Sequence, residues 1–103
     1  MTTAHVVNHP PPPSPGNAVR VTVEGRAIAV FNLGPALHAI DAACTHVRGP
    51  LEQGRVVEGI VTCPWHGSQF DLTTGAARRG PATQPVKTYP VRVENQKLVI
   101  ELP

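Results

Sequence analysis

Two short stretches hold the residue types that could do chemistry: Cys44-Thr45-His46 and Cys63-Pro64-Trp65-His66, separated by sixteen residues. Each offers one thiolate sulfur and one imidazole nitrogen, ligands that suit zinc or iron. Two such pairs on neighbouring turns would converge on one metal site. Cys44 and Cys63 are the only cysteines in the chain, and a histidine close behind each is an odd arrangement for a simple disulfide. The plain alternative makes the cysteines small buried apolar residues and the histidines loop residues, but it gives the paired spacing no reason.

Something must hold these turns together, and the rest of the chain bounds what that can be. A length of 103 residues suits one domain and leaves no room for a second catalytic one. Such a chain buries only about two-thirds of its unfolded surface, so a bound metal centre would add useful stability. The net charge of +2 comes without a basic run or an aromatic ladder, which argues against nucleic acid. Met1 to Pro15 lacks the pattern of a signal peptide, and no stretch is long enough to span a membrane. With only two cysteines, a reducing cytoplasm is the expected location.

The elements read as strands. Residues 1–17, with Pro10 to Pro13 and then Ser14, Pro15 and Gly16, read as an extended proline-rich leader. Val19, Val21 and Val23 alternate with Arg20, Thr22 and Glu24, Glu24-Gly25-Arg26 makes a turn, Ala27 to Phe31 is a continuous apolar run, and Leu37 to Asp41 follows the breakers Asn32, Gly34 and Pro35. These three segments predict a meander. At the other end Val91 and Val93, a turn at Asn95-Gln96, and Leu98, Ile100 and Leu102 predict a terminal hairpin. Between the strand groups lies a loop-rich insertion from about 43 to 84, and no window carries helical periodicity beyond a turn or so.

In these residues the chain resembles the Rieske family, whose signature is C-x-H, a spacer of about this length, and C-x-x-H, continuing here into Gly67-Ser68-Gln69-Phe70-Asp71. The resemblance extends over residues 18–103 and takes in Leu37 to Asp41 before the first cysteine and Gly80-Pro81-Ala82 after the second loop. It is closest in kind to the small ferredoxins that serve aromatic-ring oxygenases. The fold it implies is all-β, a β-sandwich base with a loop-rich cluster-binding subdomain. The cofactor it implies is one 2Fe-2S cluster, with Cys44 and Cys63 on the buried iron and His46 and His66 on the outer one.

The likeness also implies roles for neighbouring residues. The membrane-complex type has an extra cysteine in each loop, paired as a clamp; Gly49 and Trp65 stand there, so packing must hold the loops, with Trp65 as a packing body. The high-potential type carries a tyrosine where Phe70 stands. Ser68 is retained and its hydroxyl is expected to reach a bridging sulfide; apart from the likeness, Pro81 and Pro85 read as residues that stiffen a loop covering the cluster. One donor in place of two predicts a potential in the lower part of the Rieske range of about −150 to +300 mV. Neutral imidazoles in place of thiolates still lift it above an all-cysteine cluster, at about −400 mV. Ring protons on His46 and His66 predict a potential that falls at alkaline pH.

The function implied is single-electron carriage between a flavin-dependent ferredoxin reductase and a terminal oxygenase, by a monomer that docks transiently and is not itself an enzyme. No catalytic residue is expected. Two other readings are the small subunit of a nitrite reductase, which predicts stable copurification with a large chain, and a structural Cys2His2 zinc domain. His38 reads as a strand histidine, not a fifth ligand, and His5 and His9 as solvated leader residues. Arg48 inside the first loop, and Arg78-Arg79, read either as solvated charges or as residues that orient an acidic partner.

Overall fold

The computed structural model describes residues 2–45 and 48–103. Among the described residues eleven strands run in chain order: β1 Thr3–Val7, β2 Ala18–Val23, β3 Arg26–Asn32, β4 Leu37–Asp41, β5 Arg55–Val57, β6 Ile60–Thr62, β7 Gln69–Asp71, β8 Ala77–Arg79, β9 Thr88–Tyr89, β10 Val91–Glu94 and β11 Lys97–Leu102. A single turn of 3-10 helix at Leu51–Gln53 is the one helical element among the described residues. Three hairpins turn on Glu24-Gly25, Glu58-Gly59 and Asn95-Gln96, all with positive φ. They join residues paired directly across the turn, Val23 with Arg26, Val57 with Ile60 and Glu94 with Lys97. Two-residue turns of this twist match the twist of the strands they connect.

The strands form three antiparallel sheets, ordered β1-β11-β10, β2-β3-β4-β9 and β5-β6-β7-β8. The meander and the terminal hairpin are as expected. The second sheet is the middle layer. On one side Ile28 and Val30 of β3 join Val7, Val21, Leu98 and Ile100 in one core; on the other, Ala29 and Phe31 join Val61, Phe70, Leu72, Cys44 and Cys63 in a second. Because β3 is covered on both faces, Ala27 to Phe31 is apolar without alternation. The two cysteines therefore belong to a hydrophobic core that is continuous with the base.

Two expectations are corrected. The insertion over 43–84 is more than loops: four short strands, β5 to β8, make a sheet of their own. Its strands of three residues each are too brief for alternation to show in the sequence. The leader over 1–17 is also not a free arm. Thr3 to Val7 pairs residue for residue with Leu102 to Leu98 of β11, and Val7 is buried in the base core. The proline tract after it is held where Asn32 Nδ2 donates to the Pro13 carbonyl at 2.9 Å and Gly16 N–H donates to the Asn32 carbonyl at 2.8 Å. Its prolines cannot donate to a ladder, so they serve as a crossing between two strands.

Candidate metal centre

Cys44 follows β4 by three residues, and Cys63 follows directly on β6, whose hairpin partner β7 resumes at Gln69. The two loops close in the same way. In the first, Cys44 N–H donates to the Gly49 carbonyl at 3.0 Å and Arg48 N–H to the Cys44 carbonyl at 2.8 Å; in the second, Cys63 N–H donates to the Ser68 carbonyl at 2.7 Å and Gly67 N–H to the Cys63 carbonyl at 3.1 Å. Arg48 and Gly67 occupy equivalent places, and both have positive φ, +60° and +80°. One backbone knuckle is thus used twice, although glycine eases it only in the second loop.

The knuckles turn both sulfurs inward. Cys44 and Cys63 are 1% and 2% exposed, are not disulfide-bonded, and lie close enough to act on each other. Burial pushes the Cys63 thiol above its ordinary pKa; the backbone N–H groups of Trp65 and His66, which donate to its sulfur, pull the other way, and the Cys44 thiol adds to the rise. Those two donors would stabilise a thiolate once it is ligated. Gly49 is what lets the loops meet: a Cβ there would stand 2.5 Å from Cys63 Sγ and 3.4 Å from Trp65 Cβ.

His66 sits on the exposed part of the second loop, and His46 lies outside the described residues. Among the described residues no three His, Cys, Asp or Glu side chains are gathered as a metal-binding group; the fold brings the two thiols together and keeps His66 at the rim. His38 stays in β4, opposite Phe31, as a strand histidine. His5 is not a leader residue, because β1 places its Nδ1 3.7 Å from Glu24 Oε1.

The neighbouring residues sort unevenly. Phe70 is fully buried and brings no polar group to the sulfurs. Ser68 is equally buried, and its Oγ accepts the Ala82 N–H at 3.0 Å, which leaves its own O–H proton to donate elsewhere. Trp65 is 59% exposed, a correction to the packing body expected: only the base of its side chain leans on Gly49, and the ring lies toward solvent. Pro81 is exposed on the stretch that carries Ala82.

That stretch, residues 80–88, acts as a strap; Pro81 and Pro85 mark a stiff loop there in the sequence, but not the bonds that tie it down. Ala82 binds Ser68 in the second loop, and the Gln84 carbonyl accepts from Thr45 Oγ1 of the first at 2.8 Å. Val86 N–H donates to the Gly75 carbonyl at 2.9 Å, and Lys87 N–H donates to Asp41 Oδ2 at 3.3 Å. Tyr89 O–H then donates to Asp41 Oδ1 at 2.6 Å. Burial and the Asp41 carboxylate together hold the Tyr89 pKa above its ordinary value.

The donor set fits a two-iron cluster: two buried thiols in a shared apolar wall, with backbone N–H groups aimed at one sulfur. Comparison with known proteins agrees. The family model described as the Rieske 2Fe-2S domain matches residues 4–90. The ferredoxin component of the naphthalene 1,2-dioxygenase system of Pseudomonas putida is 38% identical over 84% of this chain and 84% of its own. The ferredoxin subunit of a 3-phenylpropionate/cinnamic acid dioxygenase from Shigella boydii is 39% identical, covering 85% and 83%. A solved ferredoxin of Sphingomonas yanoikuyae B1 superposes with a TM-score of 0.78 at 38% identity, covering 87% of this chain and 89% of that one.

Proposed function

Since the chain belongs to the Rieske 2Fe-2S family, we propose that it carries single electrons on one such cluster from a flavin-dependent reductase to a terminal ring-hydroxylating oxygenase, with Cys44, His46, Cys63 and His66 as the four ligands. The observation that carries the ligand assignment is the paired knuckle, which turns Cys44 and Cys63 together into one apolar wall. The cluster supplies a one-electron redox centre. The chain's own residues do the rest: the second core excludes water from the sulfurs, the strap holds both loops, and Trp65 and His66 lie at the exposed end where an electron can leave. The chain is a carrier and not a catalytic subunit, as its relatives are ferredoxin components of dioxygenase systems.

No helix among the described residues is long and apolar enough to cross a membrane, and we place the carrier in the cytoplasm as a monomer that meets its partners transiently. The absence of a second donor at Phe70 supports a potential low in the Rieske range. The test is an optical and electron paramagnetic resonance spectrum before and after dithionite, with iron, sulfide and zinc counted on the same sample. Visible bands that bleach, with two irons and two sulfides per chain, are expected. A colourless zinc protein would overturn the reading.

A further inference from the structure

Charge is distributed unevenly between the two ends of the β5-β6-β7-β8 sheet. The register sets Arg55, Thr62, Gln69 and Arg79 in one row across it, and Thr62 and Gln69 lie directly beside the second loop. Paired residues share a face, so the row presents Arg55 and Arg79 on the two edges, about 14 Å apart across three strand spacings. The Thr62 and Gln69 side chains are hydrogen-bonded between them at 3.1 Å. At the other end of the same strands stand Glu58 and Asp71.

Arg78 adds to this row. The β7-β8 ladder shifts register between Gln69 and Phe70, so that Arg78 is an extra residue. The bulge interrupts the alternation that would send neighbouring arginines to opposite faces, and both are exposed. Arg48 completes the set from the first loop, exposed and next to Gly49. Among the described residues none of these four arginines is paired with a carboxylate, whereas Arg20 and Arg92 are, with Glu52, Glu94 and Glu101. No acidic residue occurs in 42–51, 59–70 or 72–93. The centre of this end is apolar, with Trp65 59% exposed and the exposed Pro64 beside it.

We propose that the cluster-bearing end docks on an acidic protein face: a rim of carboxylates meeting Arg48, Arg55, Arg78 and Arg79 around an apolar centre that receives Trp65. This rests on the carrier reading and specifies the polarity of the redox partner. The unpaired arginines steer the encounter, and the indole anchors it.

Voltammetry of the cluster-loaded protein tests this without a partner in hand, on gold coated with carboxylate-, ammonium- or hydroxyl-terminated monolayers. Electron exchange should be at least about ten-fold faster on carboxylate than on ammonium. The preference should fade as salt rises from about 0.01 M to about 1 M and the screening length shrinks from about 30 Å to 3 Å. Adsorption through another face of a molecule 38 Å long would hold the cluster away from the metal and slow the exchange. The Arg48→Glu/Arg78→Glu/Arg79→Glu variant should reverse the order. Equal rates on the charged surfaces, or faster exchange on ammonium, with a clear signal on hydroxyl, would overturn the docking proposal and leave the carrier reading standing. A centre that exchanges electrons with no surface and is not reduced by dithionite would overturn both.

Discussion

Gly49 lies so close to Cys63 that a Cβ placed on it would stand 2.5 Å from the sulfur, and 3.3 Å from Cγ of Trp65. The two cluster loops touch at this point. They do so at the positions where the membrane-complex type would place a disulfide, so here close packing of a bare backbone takes the place of a covalent clamp.

Gly49→Ala should therefore push the loops apart or displace the Cys63 sulfur. Overpacking of this kind costs about 1–3 kcal/mol, and at a proposed ligand it should appear first as lost cofactor. Iron and sulfide per chain should fall several-fold in the purified variant. Full loading with an unchanged visible spectrum would show that the contact has slack.

Ser68→Ala should release the strap from the second loop. Its Oγ accepts the Ala82 N–H, and Ala82 is 5% exposed, so the variant buries an unmatched donor at a cost of about 1–3 kcal/mol. The urea midpoint of the loaded protein should drop accordingly, and the potential should fall with the loss of a hydroxyl donor. If neither moves, the strap is held by its other bonds.

Tyr89 carries a pH prediction. Its folded pKa is raised by burial and by Asp41, so the fold favours the neutral phenol. The resulting stabilisation is whole below the unfolded value near 10 and is lost as pH climbs through the folded value above it. Tyr89→Phe should lower stability at pH 7 by about 1–2 kcal/mol and should flatten the decline of the urea midpoint above pH 10. A parent and variant that decline in parallel would point to another group.

Deleting residues 1–8 should behave as the loss of a strand. Five ladder pairs with β11 disappear and the pocket of Val7 opens, which alone is worth about 1.5–3 kcal/mol. A thermal midpoint several degrees lower is expected. An unchanged midpoint would make the segment a tail after all.

Much of this protein is legible in residue order because its signals are local. The cysteine and histidine spacing names the chemistry; alternation in Val19 to Val23 and Leu98 to Leu102 names the strands; Glu24-Gly25 and Asn95-Gln96 name the turns. Each depends on neighbours a few positions apart. β1 was hidden because Val6 and Val7 are adjacent instead of alternating, and because the prolines after them outweigh a five-residue signal.

What tertiary structure alone decided is what depends on distant residues meeting. No local pattern links Thr45 to Gln84, Ser68 to Ala82 or Asp41 to Lys87, yet these bonds form the strap. Nor does any local pattern show that Gly49 must be bare; that follows from where Cys63 arrives after the chain has returned through β5 and β6. The arginine row has the same origin, since Arg55 and Arg79 become neighbours of one loop only through strand register. Sequence by itself determined which residues offer thiolate and imidazole donors and which stretches extend. Packing decided how closely the two loops approach, because contact distance and charge placement belong to surfaces that exist only once the sheets have stacked.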